Sequence, residues 1–283
     1  MKRILYLDAF AGVSGDMFVG ALLDLGVDLE AVRQDVASLN LEGFELRASK
    51  VTRQGIVGTK FDVTDRGTNR NVDELPAHHG GHLEHYHEHY HEHEQQHPSH
   101  DDNHLKLHGP HAHRGLKEIR RIIGESALLP EVAADTIALF EIIGRAEALV
   151  HGVGIEEVHF HEVGALDTII DIVAAASALR LLRVDEVVCS PVHVGSGTVR
   201  CAHGVLPVPA PATLEILKGV PIYATEIRGE LTTPTGAALL RHFCHRFAPL
   251  PPLMVEAIGY GAGTKEREIP NLLRATVGTE CER

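Results

Sequence analysis

Two carboxylates flank a glycine turn in Asp8-Ala9-Phe10-Ala11-Gly12-Val13-Ser14-Gly15-Asp16. If a strand enters that turn and a helix leaves it, backbone N–H groups at the helix start favour an anion. Gly12, Ser14 and Gly15 would cradle the anion. Asp8 and Asp16 could hold a hard divalent ion such as Mg²⁺ or Mn²⁺ through oxygen. In the ligand-free alternative, Asp16 caps the helix and the glycines only make the turn. The stretch matches neither the phosphate-binding Walker A pattern nor the dinucleotide fingerprint.

A second constellation is His159-Phe160-His161-Glu162, followed by Asp167 and Asp171. In an extended segment His159 and His161 share one face. Asp167 and Asp171 lie one helical turn apart and share another. Two imidazoles with nearby carboxylates suit a metal or a metal–phosphate site, and the convergence of ligand types favours that over hydrogen-bonded histidines beside a helix cap. In Cys201-Ala202-His203-Gly204, Cys201 and His203 could ligate a soft metal, but a lone pair at this spacing is more simply a turn with a buried thiol. Thr232-Thr233-Pro234-Thr235-Gly236 reads as a helix start capped by threonine.

The densest chemistry is imidazole. Fourteen of the 21 histidines lie between His78 and His113. If the run is extended, His85, His87, His89, His91 and His93 project to one side. Neutral imidazole suits late first-row divalent metals, Ni²⁺ among them. Such binding should weaken as pH falls through about 6.5, where imidazole protonates. Two matches to H-E-x-x-H fall in this run, but their polar neighbours and Pro98 deny them the apolar-faced helix that a zinc protease requires. With almost no aliphatic residues the stretch cannot bury a core, so it is expected to be disordered without metal.

These groups need a scaffold. The 283 residues are 44% hydrophobic, which is ordinary for a globular protein. Strands are expected at Arg3–Ala9, Glu186–His193, Ile222–Glu226, Glu256–Gly259 and Asn271–Val277, with a hairpin of Phe44–Thr52 and Ile56–Thr64. Helices are expected at Met17–Leu25, Leu29–Leu39, from Leu116, and at Pro130–Val150, Asp167–Leu182, Pro211–Leu217 and Pro234–Phe247. The helix from Pro130 would bury Val132, Ile137, Phe140, Ile143 and Leu149. The class is α+β: mixed sheets with packed helices and a long disordered His-rich insertion. The chain is expected to divide into 1–65 (strand–turn–helix and hairpin), 66–113 (disordered His-rich loop suited to binding metal) and 114–283 (helical and α/β remainder). A net charge of −13 argues against nucleic acid or an anionic membrane as partner. No apolar run reaches the roughly 18 residues that span a bilayer. The start is too soon acidic for a signal peptide, and four cysteines without C-x-x-C spacing read as reduced cytoplasmic thiols.

Four motifs in order point further. They are Asp8…Gly12-x-Ser14-Gly15-Asp16-Met17, the run 158–165 with Asp167 and Asp171-Ile172-Val173, Ala202-His203-Gly204 with the run 207–213, and Glu230-Leu231-Thr232-Thr233-Pro234-Thr235-Gly236. Together they resemble the nickel insertion proteins that complete the nickel-pincer nucleotide cofactor of lactate racemase. The resemblance implies a cytoplasmic chelatase of lyase type. Its substrate would be pyridinium-3,5-bisthiocarboxylic acid mononucleotide, which gains one nickel–carbon and two nickel–sulfur bonds, with CTP as co-substrate and Mg²⁺ or Mn²⁺. It carries over Asp8, Asp16, His159, His161, Glu162, Asp167 and His203. On this reading Asp8 and Asp16 help hold a hard metal with phosphate, while His159, His161 and Glu162 present nickel loaded by the His-rich run. The family's complete protein continues into a C-terminal nucleotide-binding domain, so a separate C-terminal chain is the expected partner. Self-association into a homo-oligomer stays open. The competing readings are a non-catalytic nickel storage or delivery protein, and a phosphohydrolase using Asp8, Asp16 and His159.

Overall fold

Ile4, Leu5, Tyr6 and Leu7 are all buried, because both faces of that strand are covered. The computed structural model describes residues 1–66, 114–158, 160, 166–201 and 203–281. In chain order the elements are β1 (Arg3–Asp8), α1 (Gly15–Asp24), α2 (Leu29–Ala37), β2 (Phe44–Arg53), β3 (Ile56–Asp65), α3 (Leu116–Gly124), α4 (Pro130–His151) and α5 (Leu166–Leu182). Then follow β4 (Glu186–Cys189), β5 (Val192–His193), β6 (Gly195–Ser196), β7 (Thr198–Cys201), β8 (Gly204–Pro207), α6 (Pro211–Ile216) and β9 (Ile222–Tyr223). The last are β10 (Gly229–Glu230), α7 (Pro234–Phe243), β11 (Arg246–Phe247), β12 (Leu253–Ala262) and β13 (Leu272–Glu280).

Seven strands make one mixed sheet in the order β11-β4-β1-β13-β12-β3-β2. β1 runs parallel to β4 and antiparallel to β13. The class is α+β, as the mixture of hairpins and helices implied. The His-rich run lies outside the described residues. α1 packs on β12, β3 and β13, and α5 is enclosed by α1, α2 and α4. That position explains why α5 is apolar on nearly every side: Ile169, Ile170, Ile172 and Val173 are all fully buried. α1 lies flush on the sheet because glycines leave room. A Cβ on Gly261 would sit 1.7 Å from the Met17 carbonyl oxygen, and one on Gly259 would sit 2.6 Å from that of Ala21.

The expected β2–β3 hairpin forms, with Arg53 drawn into the ladder opposite Ile56, so that Gln54-Gly55 alone makes the turn. Elsewhere tertiary contacts redraw the elements. The expected strand 186–193 is two strands in different sheets, β4 in the large sheet and β5 beside β9. Pro191 interrupts the ladder, and the Ser190 hydroxyl accepts the Ala9 N–H at 3.0 Å. α7 ends at Phe243, and Arg246–Phe247 pairs parallel to β4 instead of continuing the helix. In α4 Leu149 is exposed, and Leu139 and Thr136 take the buried face with Val132, Phe140 and Ile143.

Candidate functional site

The turn after β1 is stitched to the segment that leads into α7. Gly12 has φ +80, and a Cβ there would meet the Leu231 carbonyl oxygen at 2.1 Å, so only glycine fits. Val13 bridges Thr232, and its carbonyl accepts the Thr233 N–H at 3.1 Å. Thr233 caps α7 by accepting the Gly236 N–H at 3.2 Å. A Cβ on Gly15 would lie 2.5 Å from Asp171 Oδ2, so α5 closes against the same turn. The starts of α1, α5 and α7 thus converge on one cleft of about 500 Å³. Its lining includes the acids Asp16, Asp167 and Asp171 with Ser14 and Gly15, and Thr233, Thr235, Lys265, Arg267 and Asn271.

Asp16 is held on both oxygens. Oδ1 accepts the Ser14 hydroxyl and the Met17 N–H, and Oδ2 accepts Lys60 Nζ at 2.6 Å. Ser14, not Asp16, occupies the N-cap position, so Asp16 is a first-turn acid placed by the helix field and by Lys60. Lys60 also pairs with Asp62 at 3.1 Å, and only 7% of its side chain is exposed. Burial alone would lower the Lys60 pKa, but Asp16 and then Asp62 outweigh it, and the ammonium is held above its ordinary range. In the same cleft the first-turn acid of α5, Asp167, has its Oδ1 buried without a hydrogen-bond partner among the described residues. A buried carboxylate oxygen in that condition is costly unless a ligand completes it.

The structure therefore brings Ser14, Gly15, Asp16 and Asp167 to one cleft, with Gly12 packed behind them. Asp8 is not among the residues that line this cleft; it pairs with Arg274 on β13. His203 lines an adjoining cleft, with its ring 4.8 Å from that of His151. Cys201 is only half buried and ends a strand of the β7–β8 hairpin, not an isolated turn. His159, His161 and Glu162 lie outside the described residues, as do His85, His87, His89, His91 and His93.

Among the described residues no three His, Cys, Asp or Glu side chains converge as a metal cage. The cleft fits a different kind of cation site. Mg²⁺ commonly takes one or two carboxylates and completes its shell with phosphate and water. The lining of the cleft holds the carboxylates Asp16 and Asp167 together with Thr233, Thr235 and Lys265, the donor types that such a site uses. Lys60, Lys265, Arg267 and Asn271 escaped the sequence reading. The available signal was Lys60 itself, a cation inside the apolar strand Phe61-Asp62-Val63 continues.

Comparison with known proteins places this geometry. The family described as nickel insertion protein matches residues 5–283. The chain belongs to that family. The pyridinium-3,5-bisthiocarboxylic acid mononucleotide nickel insertion protein of Desulfitobacterium hafniense (strain DSM 10664 / DCB-2) is 46% identical over 273 residues, covering 96% of this chain and 58% of the relative. Its counterpart in Geobacillus kaustophilus (strain HTA426) is 44% identical over 279 residues, covering 98% of this chain and 60% of the relative. That of Staphylococcus saprophyticus is 39% identical over 282 residues, covering 100% of this chain and 61% of the relative. This member of the family thus spans well under two thirds of the length of these relatives. No solved structure matches it. Among its described residues no helix is long and apolar enough to cross a membrane.

Proposed function

We propose that this chain inserts Ni²⁺ into pyridinium-3,5-bisthiocarboxylic acid mononucleotide, as the names of its relatives state for them, and that it does so as a CTP-dependent lyase-type chelatase with Mg²⁺ or Mn²⁺. The observation that carries the reading is the cleft lined by Asp16, Asp167, Thr233, Thr235 and Lys265, where Asp167 Oδ1 has no hydrogen-bond partner among the described residues. That set joins a hard cation to phosphate, as a mononucleotide or a nucleoside triphosphate would require. When bound, Mg²⁺ or Mn²⁺ would neutralise phosphate charge. Asp16, oriented by Lys60, and Asp167 would hold it, while the α7 start would fix the phosphate. His159, His161 and Glu162 present nickel in this proposal, and the His-rich run supplies it. The rest of the family's length, on the same or a separate polypeptide, contributes nucleotide binding. Four unpaired cysteines are in keeping with a reducing cytoplasm.

The test is nickel insertion into the sulfur-bearing pyridinium mononucleotide with CTP and Mg²⁺ or Mn²⁺, with and without the C-terminal polypeptide. Asp16→Asn and Asp167→Asn should each cut turnover by about 100-fold while total nickel bound stays unchanged. Product from this chain alone puts the reaction centre here. Product only with the C-terminal polypeptide makes it a nickel-presenting half-enzyme. Nickel bound by the histidines with no product under either condition overturns the chelatase reading in favour of storage or delivery.

A further inference from the structure

The carboxylate cleft does not end at Glu230, Pro234 and Lys265. The same three residues line a second, more enclosed cleft of about 470 Å³. Its walls differ in kind. His203, on the turn of the β7–β8 hairpin, and His151, in the last turn of α4, set their rings 4.8 Å apart at 43°. Glu147 Oε2 lies 3.4 Å from His151 Nε2, so the ring pair is backed by a carboxylate. Val199, Leu206 and Ala212 give the cleft an apolar side, and Arg200 with Lys265 gives it cations. An apolar recess with a few converging polar groups is the common form of a small-molecule site.

We infer that this second cleft seats the aromatic ring of the mononucleotide, stacked on the His203–His151 pair; the inference rests on the function proposed above and assigns its substrate a pose. A pyridinium ring is flat and cationic. Imidazole faces stack with such rings, and Glu147 and Glu230 offset the positive charge. The ring's anionic substituents meet Arg200 and Lys265. The shared residues then direct the phosphate end into the carboxylate cleft, where Thr233 and Thr235 lie. His203 and His151 act here through their ring faces, as positioning residues.

Nicotinic acid mononucleotide is the probe, because it has the pyridinium ring, a carboxylate and the ribose phosphate but no sulfur. Ribose 5-phosphate is the control without a ring. Calorimetric affinities for both are compared across wild type, His203→Ala, His151→Ala and His203→Phe, with thermal unfolding to confirm folding. His203→Ala should weaken the ring-bearing probe about ten-fold, which is about 1.4 kcal/mol, and leave ribose 5-phosphate unchanged, since only the probe loses an aromatic stack. His203→Phe should restore affinity, because it keeps the stack and removes the nitrogens. Unchanged affinity in both alanine variants, equal weakening of both ligands, or no binding of the probe to wild type each overturns the inference. Nickel insertion is assayed alongside. Insertion by wild type with probe binding indifferent to the ring pair sinks this pose alone. Ring-dependent binding without insertion, both with and without the C-terminal polypeptide, sinks the proposed reaction and leaves the pose standing.

Discussion

The two walls that meet at Glu230 are built differently. The carboxylate wall is clamped from behind: Gly12 against Leu231, Gly15 against Asp171, Gly236 against Val13, and Lys60 beneath Asp16. The ring wall includes a two-stranded hairpin, β7–β8, in which Val205 is 56% exposed and only the partner strand supplies a ladder. Fixed charge aimed at a cation or phosphate gains from a site that need not reorganise, so the clamped wall suits the polar half of the chemistry. A stacking surface tolerates small shifts, so it can sit on a ribbon.

Substitutions can break that contrast in order of size. Gly12→Ala must both occupy a positive φ and overlap the Leu231 carbonyl, and should cost about 3 kcal/mol or more in chemical denaturation. Lys60→Met leaves Asp16 and Asp62 without their shared cation. It should cost about 2 kcal/mol, less than a fully buried pair because both carboxylates reach solvent. Since the Lys60 pKa is raised, its contribution is complete below the ordinary lysine range and fades only as pH rises beyond about 10.4. A wild-type to Lys60→Met gap that shrank between about pH 7 and 9 would contradict that assignment.

Asp24 anchors the other end of α1 through Lys50, Thr59 and the Tyr260 N–H. Burial alone would raise its pKa, but those donors outweigh it and hold the carboxyl below its usual range. A depressed carboxylate stabilises above its unfolded value and loses that as pH falls through its folded value. Asp24→Asn should therefore cost about 1 kcal/mol near neutrality, with the gap to wild type closing below about pH 4 in acid titrations of the unfolding midpoint. Val205→Thr on the hairpin should fall within about 0.5 kcal/mol, and a loss as large as that of Lys60→Met would show the ribbon to be clamped too.

What could be read from the sequence was local. The β1–turn–α1 unit, the β2–β3 hairpin, α4 and α5 follow from periodicity, caps and glycines within a short window. Glu141 and Arg145, four residues apart on α4, pair at 3.0 Å, a contact that helical spacing alone provides. The misses were long-range. Ser190-Pro191 ends β4 because the chain must leave the large sheet to pair with β9, and Ile222–Glu226 shortens to two residues for the same reason. Asp8 and Asp16 look like partners along the chain, but Arg274 and Lys60, each from a distant strand, claim one apiece. Lys265, Arg267 and Asn271, which also line the cleft, come from the loop between β12 and β13, which no local pattern ties to the β1 turn.

The bare seam of α1 on β12 has a consequence for isotope exchange. Met17 and Ala21 touch strand backbone through Gly259 and Gly261, with no side-chain layer between them that could loosen gradually. Deuterium should reach the α1 amides only when the sheet and helix separate together, at a rate set by opening of the whole fold. The β7–β8 amides should exchange through their own small fluctuations, so a single exchange time course would separate the two walls by clock rather than by geometry.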